Sequence, residues 1–237
     1  MNSKLFIATP AFDGKVHVPF AIALAETFVL CAKNHINVEY RVLTTGSLLC
    51  AERNRLIKAF LESDCTHMLC IDSDLGWPPE AVIALLKKQE HFIAGCYPTR
   101  TDKAFLFRPV VNEDQSLVVN KEKGLVQMSY IPAGFMLLTR EMIEKMVQDN
   151  PDRNFVPKDP ANPSGCALFN TEIYEGEFWG EDYVFCRLAR QSGFQIWVDP
   201  MIQFNHAGNI GMLAEVLTDK PPEETAAEKE KRILKCL

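Results

Sequence analysis

Residues 68–79 read MLCIDSDLGWPP. The apolar run that begins at Thr66 and ends at Ile71 has the makings of a buried strand, and it stops in acid. Asp72 and Asp74 stand at its carboxyl end, the edge where open α/β sheets bind ligands. Pro78 and Pro79 then open a helix predicted to reach about Lys88, because a proline in the first turn lacks only an N–H that has no intrahelical partner. Strand, acidic turn and helix in that order form the repeating half of a βαβ unit.

The flanking sequence repeats the same rhythm. Lys4 to Thr9 (KLFIAT) is a short apolar run stopped by Pro10 and Gly14, a first buried strand entering a loop. Pro19 to Lys33 is apolar at helical spacing, and Asn37 to Leu43 (NVEYRVL) alternates and is rich in β-formers. Cys50 to Glu62 is an amphipathic helix, and His91 to Cys96 a fourth strand. This alternation predicts an α/β fold with a mainly parallel central sheet and helices on its faces. After Cys96 the rhythm changes to short strand-like segments, 105–111, 117–119, 125–131 and 135–139, which predict antiparallel additions to the sheet in the second half of the chain. A helix follows over Glu141–Gln148. Asn150–Gly165 has four prolines and reads as a loop, of a length that often covers a site. Tyr183–Gln191 is helical, Gln195–Val198 a strand, and the chain then runs through Phe204 to His206. The expected domain is 1–208, with a charged tail over 209–237 ending in the helix-like AAEKEKRILKCL.

Composition narrows the function. The 237 residues are 47% hydrophobic and 24% charged, an ordinary globular balance, and the net charge of −6 argues against a nucleic-acid binder, which needs a basic face. The eight cysteines form no CxxC pair, so they read as reduced, structural thiols of a cytoplasmic compartment. No transmembrane segment is expected: the longest apolar candidate, Val18 to Ala32, is interrupted by Glu26.

Three segments carry chemistry. Asp72 and Asp74 are two apart, and on an extended backbone such residues point the same way, so both carboxylates can converge on one cation. A divalent metal would relieve their mutual repulsion; equally, two such acids can cap the turn or helix that follows. Glu177 to Arg187 reads EFWGEDYVFCR. There Gly180 leads into Glu181 and Asp182 at a predicted helix start, where acids suit the macrodipole without any catalytic role. The aromatic pair Phe178 and Trp179 beside them adds a surface on which a sugar ring can stack. The third segment is Phe204-Asn205-His206, whose histidine taken alone is as well explained by packing.

Together these pieces resemble the GT-A glycosyltransferases, family 2-like and bearing the DxD motif. The resemblance runs from Leu5 to about Gly208 and includes IPAGFMLLTR at 131–140. It implies a Rossmann-like three-layer sandwich that moves a hexosyl or deoxyhexosyl group from a nucleotide-sugar donor to the hydroxyl of a glycan or other acceptor. Asp74 and His206 would bind Mn²⁺ or Mg²⁺, with Asp72 and Ser73 nearer the ribose or sugar. Asp182 matches the base of inverting members, and Glu181 would orient the acceptor hydroxyl. Trp179 and Gly180 would meet the acceptor, and Thr9, Pro10 and Ala11 the nucleoside. Arg53 resembles a donor-contact arginine, and Arg100 and Lys103 could touch phosphate or acceptor. The loop 150–169 has no counterpart in the pattern.

Competing readings fit less well. A haloacid-dehalogenase-type phosphatase carries its Asp-x-Asp after the first strand, followed by Thr or Val; here it follows the third and continues Leu75-Gly76. A sugar-nucleotide pyrophosphorylase would show a glycine-rich, basic loop where this chain has Thr9 to Gly14. A non-catalytic GT-A-like module that binds glycan or nucleotide sugar remains the alternative.

Overall fold

A computed structural model describes residues 3–44, 48–158 and 164–218. The first half follows the expected alternation: β1 (Lys4–Pro10), α1 (Val18–Lys33), β2 (Asn37–Leu43), α2 (Leu49–Glu62), β3 (His67–Ile71), β4 (Leu75–Gly76), α3 (Glu80–Lys88) and β5 (Phe92–Ala94). Then come β6 (Arg108–Pro109), β7 (Val119–Asn120), β8 (Leu125–Tyr130), β9 (Phe135–Thr139) and α4 (Arg140–Asp149). After α4 lie two short ladders, β10 (Asn154–Phe155) with β11 (Gly165–Cys166) and β12 (Glu172–Tyr174) with β13 (Glu177–Trp179). The rest is α5 (Glu181–Gln191), β14 (Ile196–Val198), β15 (Gln203–His206), β16 (Asn209–Met212) and α6 (Leu213–Thr218).

The main sheet runs β2-β1-β3-β9-β5-β14-β8-β6, with β7 on β8. Strands β2, β1 and β3 pair in parallel, as do β5 and β14, and β9 runs antiparallel between β3 and β5. Five strands therefore point one way, which is the mainly parallel sheet expected. The antiparallel strand β9 is no edge addition: it is wedged into the middle. Its sequence FMLLT is buried on both faces, and only a central position buries both.

Period-two alternation sorts the strands between two cores. Phe6, Met68, Phe92, Met136 and Leu138 face the layer of α2, α4 and α5, while Leu5, Ile7, Leu69, Ile93 and Leu137 face that of α1 and α3. This is a three-layer sandwich, helices on both faces of the sheet. A second small sheet, β16-β15-β4, hangs from the carboxyl end of β3.

Several expectations change in detail. The fourth strand is only Phe92–Ala94, and Gly95 after it lies against the Phe204 ring where a Cβ would overlap it. The 105–111 segment shrinks to the two residues of β6. The 150–165 loop contains a 3-10 turn (Pro151–Arg153) and the β10–β11 ladder, and beyond it Phe169 is core, stacked on Phe185 at 4.3 Å. Beyond residue 208, β16 pairs with β15 and Leu213 is fully buried. The expected helix over 226–237 lies outside the described residues, as do 159–163 of the loop. The seven described cysteines are free, and among the described residues no helix is long and apolar enough to cross a membrane.

Candidate functional site

β3 ends at Ile71, and the next residues do not stay extended. Leu75 N–H donates to the Asp72 carbonyl at 3.2 Å, closing a tight turn over Asp72-Ser73-Asp74. The same-side rule applies only to extended backbone, and here the two carboxylates take different partners. Asp72 turns toward α2, its Oδ1 accepting from Arg53 Nη2 at 2.9 Å and its Oδ2 from Tyr97 Oη at 3.4 Å. Asp74 turns toward β15, its Oδ2 lying 2.6 Å from Arg100 Nη2 and 3.2 Å from His206 Nε2. Both acids still line one cleft of about 230 Å³, closed by Pro10, Phe12, Leu49 and Glu52, with Ser73 and Arg100 on its wall.

His206 reaches Asp74 through the small sheet. β15 pairs antiparallel with β4 so that His206 sits opposite Leu75, and Ala207 N–H donates to the Asp74 carbonyl at 3.2 Å. Nδ1 of His206 lies 2.6 Å from the Pro98 carbonyl, a bond that fixes the ring and directs Nε2 at Asp74. Arg100 Nε is 3.0 Å from the same Nε2. Burial opposes ionisation of Asp74, but His206 and Arg100 outweigh it and hold its carboxyl below the ordinary range. Burial also opposes the imidazolium, yet the bonds to Asp74 and the Pro98 carbonyl lift the His206 pKa above its usual value. An imidazole that accepts from Arg100 and an imidazolium bonded to Asp74 are alternatives at one nitrogen.

These two side chains suit a divalent cation. Asp74 Oδ1 is buried and has no hydrogen-bond partner, an acceptor waiting for a donor or a metal. A carboxylate oxygen and an imidazole nitrogen anchored at its far side by a backbone carbonyl are a chemically apt pair for Mn²⁺. The set is small: among the described residues no three His, Cys, Asp or Glu side chains are grouped to hold an ion. Two protein ligands leave the remaining positions to water and phosphate oxygens, which is how such cations usually meet nucleotides.

At the inner end of the cleft a single guanidinium joins two acids. Arg53, its side chain only 6% exposed, bonds Asp72 Oδ1 through Nη2 and Glu181 Oε1 through Nη1 at 3.0 Å, and lies over the Phe169 ring. It is an internal clamp whose two terminal nitrogens are both engaged by carboxylates. Tyr97 Oη extends the network by accepting from the Gly134 backbone N–H at 2.9 Å. A Cβ at Gly134 would overlap both Tyr97 Oη and Asp72 Oδ2, so the glycine of IPAGF is required by close approach. Asp182, in the first turn of α5 beside Glu181, accepts from the Tyr183 backbone N–H at 2.8 Å. Burial, reinforced by the Glu181 charge and opposed by Arg53, raises its carboxyl from 3.8 to about 6.

Other expected site residues are placed differently. Trp179 is 8% exposed, packed edge-on against Tyr130 and Tyr174 with Arg187 above its ring. Its neighbour Phe178 is 66% exposed. Thr9 and Ala11 are buried, whereas Pro10 lines the cleft. Gly180 caps α5, and Lys103 is exposed on the loop after β5. Three contributors escaped the sequence reading: Tyr97; Phe12, 69% exposed at the cleft; and Glu52, buried with Oε2 lacking a partner. Glu52 and Phe12 flank segments already singled out, but nothing local distinguishes a first-turn glutamate that is buried from one that is solvated. A larger hollow of about 400 Å³, toward the C-terminal end of α2 between Leu61, Val147 and Phe155, gathers no such constellation.

No family model matches the chain, and no curated protein matches it. Among solved structures it is similar to S. aureus TarS, residues 1–349 in complex with UDP-GlcNAc, at 13% identity over 82% of this chain with a TM-score of 0.44. The chain spans 55% of that TarS chain. A glycosyltransferase involved in glycosylation of the major capsid of PBCV-1 matches at 13% identity over 67% of this chain and 70% of its own, TM-score 0.36. The inositol-1-phosphate CTP transferase from T. maritima matches at 11% identity over 97% of this chain and 94% of its own, TM-score 0.46.

Proposed function

We propose that the protein is a glycosyltransferase that moves a hexosyl or deoxyhexosyl group from a nucleoside-diphosphate sugar to an acceptor hydroxyl with inversion. One observation carries the reading: Asp74, which lines the cleft beside Asp72 and Ser73, has its Oδ2 3.2 Å from His206 Nε2, a carboxylate and an imidazole met at one point. Pro10 and the exposed Phe12 ring would receive the nucleoside, with Asp72 and Ser73 near the ribose or sugar. Asp74 and His206 would hold Mn²⁺ or Mg²⁺, which when bound supplies Lewis-acid neutralisation of the departing diphosphate. Asp182 would take the proton from the acceptor hydroxyl as its oxygen bonds to the anomeric carbon and the bond to the diphosphate breaks. A pKa near 6 suits that transfer, since a base works best poised near the operating pH. Glu181, pinned by Arg53, would orient the acceptor hydroxyl beside the base, and Phe178 would offer the acceptor ring a face.

The test is release of nucleoside diphosphate from a panel of nucleotide sugars with Mn²⁺. One donor should be cleaved, and Asp182→Asn should slow it by about 10²–10⁴-fold with donor affinity retained. Binding of intact donor without release from any sugar would instead assign the protein as a binding module.

A further inference from the structure

The two groups suited to a cation are already bridged by one. Arg100 stands on the loop after β5, its side chain 63% exposed, yet it reaches both Asp74 Oδ2, at 2.6 Å through Nη2, and His206 Nε2, at 3.0 Å through Nε. An imidazole nitrogen has one lone pair. With the Nδ1 proton given to the Pro98 carbonyl, that pair is used by Arg100 or by a metal, and not by both. Asp74 itself is only 7% exposed, so without a neighbouring cation its charge would be buried uncompensated, which is strongly unfavourable. Asp74 Oδ1, by contrast, has no partner, so Arg100 satisfies half of the carboxylate. The guanidinium also forms part of the wall of the cleft that holds Asp72 and Ser73.

We propose that Arg100 is a built-in stand-in for the metal: it neutralises Asp74 and occupies the His206 lone pair until a divalent cation binds with a nucleoside diphosphate and displaces it. Displaced, it becomes a phosphate ligand. Its planar donors match phosphate oxygens as they match a carboxylate, and its exposed stem needs no core rearrangement to turn by the width of the cleft. The device favours loading cation and diphosphate together, because the cation alone must compete with Arg100 while the pair provides the arginine with a new partner. This rests on the metal-dependent reading above.

Binding of MnCl₂ alone, followed by the electron paramagnetic resonance of free Mn²⁺, and binding of UDP and of GDP in its presence separate the two ideas. Arg100→Ala should bind Mn²⁺ about tenfold more tightly than the wild type in the absence of nucleotide, since a charge-assisted competitor is gone. The same variant should bind its nucleoside diphosphate about tenfold more weakly at saturating Mn²⁺. Arg100→Gln should behave alike, and Asp74→Ala should abolish Mn²⁺ binding. Unchanged or weaker Mn²⁺ affinity in Arg100→Ala, with binding in the wild type intact, overturns the stand-in while leaving the metal site standing. Unchanged diphosphate affinity overturns the phosphate role. No Mn²⁺ binding by either protein, with or without nucleotide, overturns the metal reading and this inference with it.

Discussion

Replacing Asp182 with asparagine keeps the shape of the side chain and removes its charge, and the surroundings of this residue make that exchange stabilising. Burial, then Glu181, raises the carboxyl from 3.8 to about 6 against the pull of Arg53, so the folded protein resists its ionisation. Two pKa units, at about 1.4 kcal/mol each, give a cost of about 3 kcal/mol. The sign follows from proton binding: between about pH 4 and pH 6 the folded state keeps a proton that the unfolded chain has released. Stability of the wild type therefore falls as pH rises through that window and levels off above it, and the asparagine variant lacks this term. Urea unfolding of both proteins from pH 4 to pH 8 measures the difference directly. Asp182→Asn should be more stable by about 3 kcal/mol at pH 8, or about 6–12 °C in Tm for a chain of this size, with most of the gain gone by pH 4. The wild type should lose kcat/KM below about pH 6, where the base is protonated. A stability difference that does not depend on pH, or a variant weaker than the wild type at pH 8, would refute the burial argument.

Arg53→Gln leaves Asp72 and Glu181 without their shared cation, which should cost about 3–5 kcal/mol in urea unfolding; it should also move the acid limb of kcat/KM upward, because Arg53 lowers the Asp182 pKa. A loss below about 1 kcal/mol would show that the clamp is replaceable by water. Gly134→Ala forces a Cβ into Tyr97 Oη and Asp72 Oδ2 and should destabilise by about 1–3 kcal/mol, with weaker nucleotide-sugar binding by calorimetry; normal affinity would mean that the turn tolerates displacement. Phe12→Ala removes an exposed ring, so Tm should barely change, while nucleoside diphosphate affinity should fall about tenfold or more if the base stacks there. An unchanged Kd assigns the nucleoside elsewhere.

The fold was legible where a pattern is local. Lys4–Thr9, Asn37–Leu43 and Cys50–Glu62 coincide with β1, β2 and α2 to within one residue, because apolar runs and helical spacing are set by neighbours along the chain. The sheet order was not. Nothing in FMLLT states that β9 enters between β3 and β5; its double-sided burial is a fact about strands that arrive from elsewhere in the sequence. The same limit governs the site. Asp74 and His206 could be paired only through resemblance, since their proximity depends on β15 lying against β4.

Local sequence does not set where the side chains of the site point: Asp72 and Asp74 follow a strand, Arg53 lies in α2 and Trp179 ends β13. In the structure each is oriented by a partner distant in the chain. Arg53 is turned inward toward two half-buried carboxylates, from the end of β3 and the start of α5, whose charges it compensates. Once Arg53 holds Asp72, that carboxylate is unavailable to a cation, and the demand for positive charge falls on Asp74, where Arg100 and His206 meet it. The cleft thus divides its acids by charge bookkeeping: one pair compensated permanently from inside the fold, and one compensated by an exposed group that can leave. Only the second can exchange its partner for a metal and a diphosphate, which is why Asp74 rather than Asp72 is the residue whose replacement should abolish metal binding.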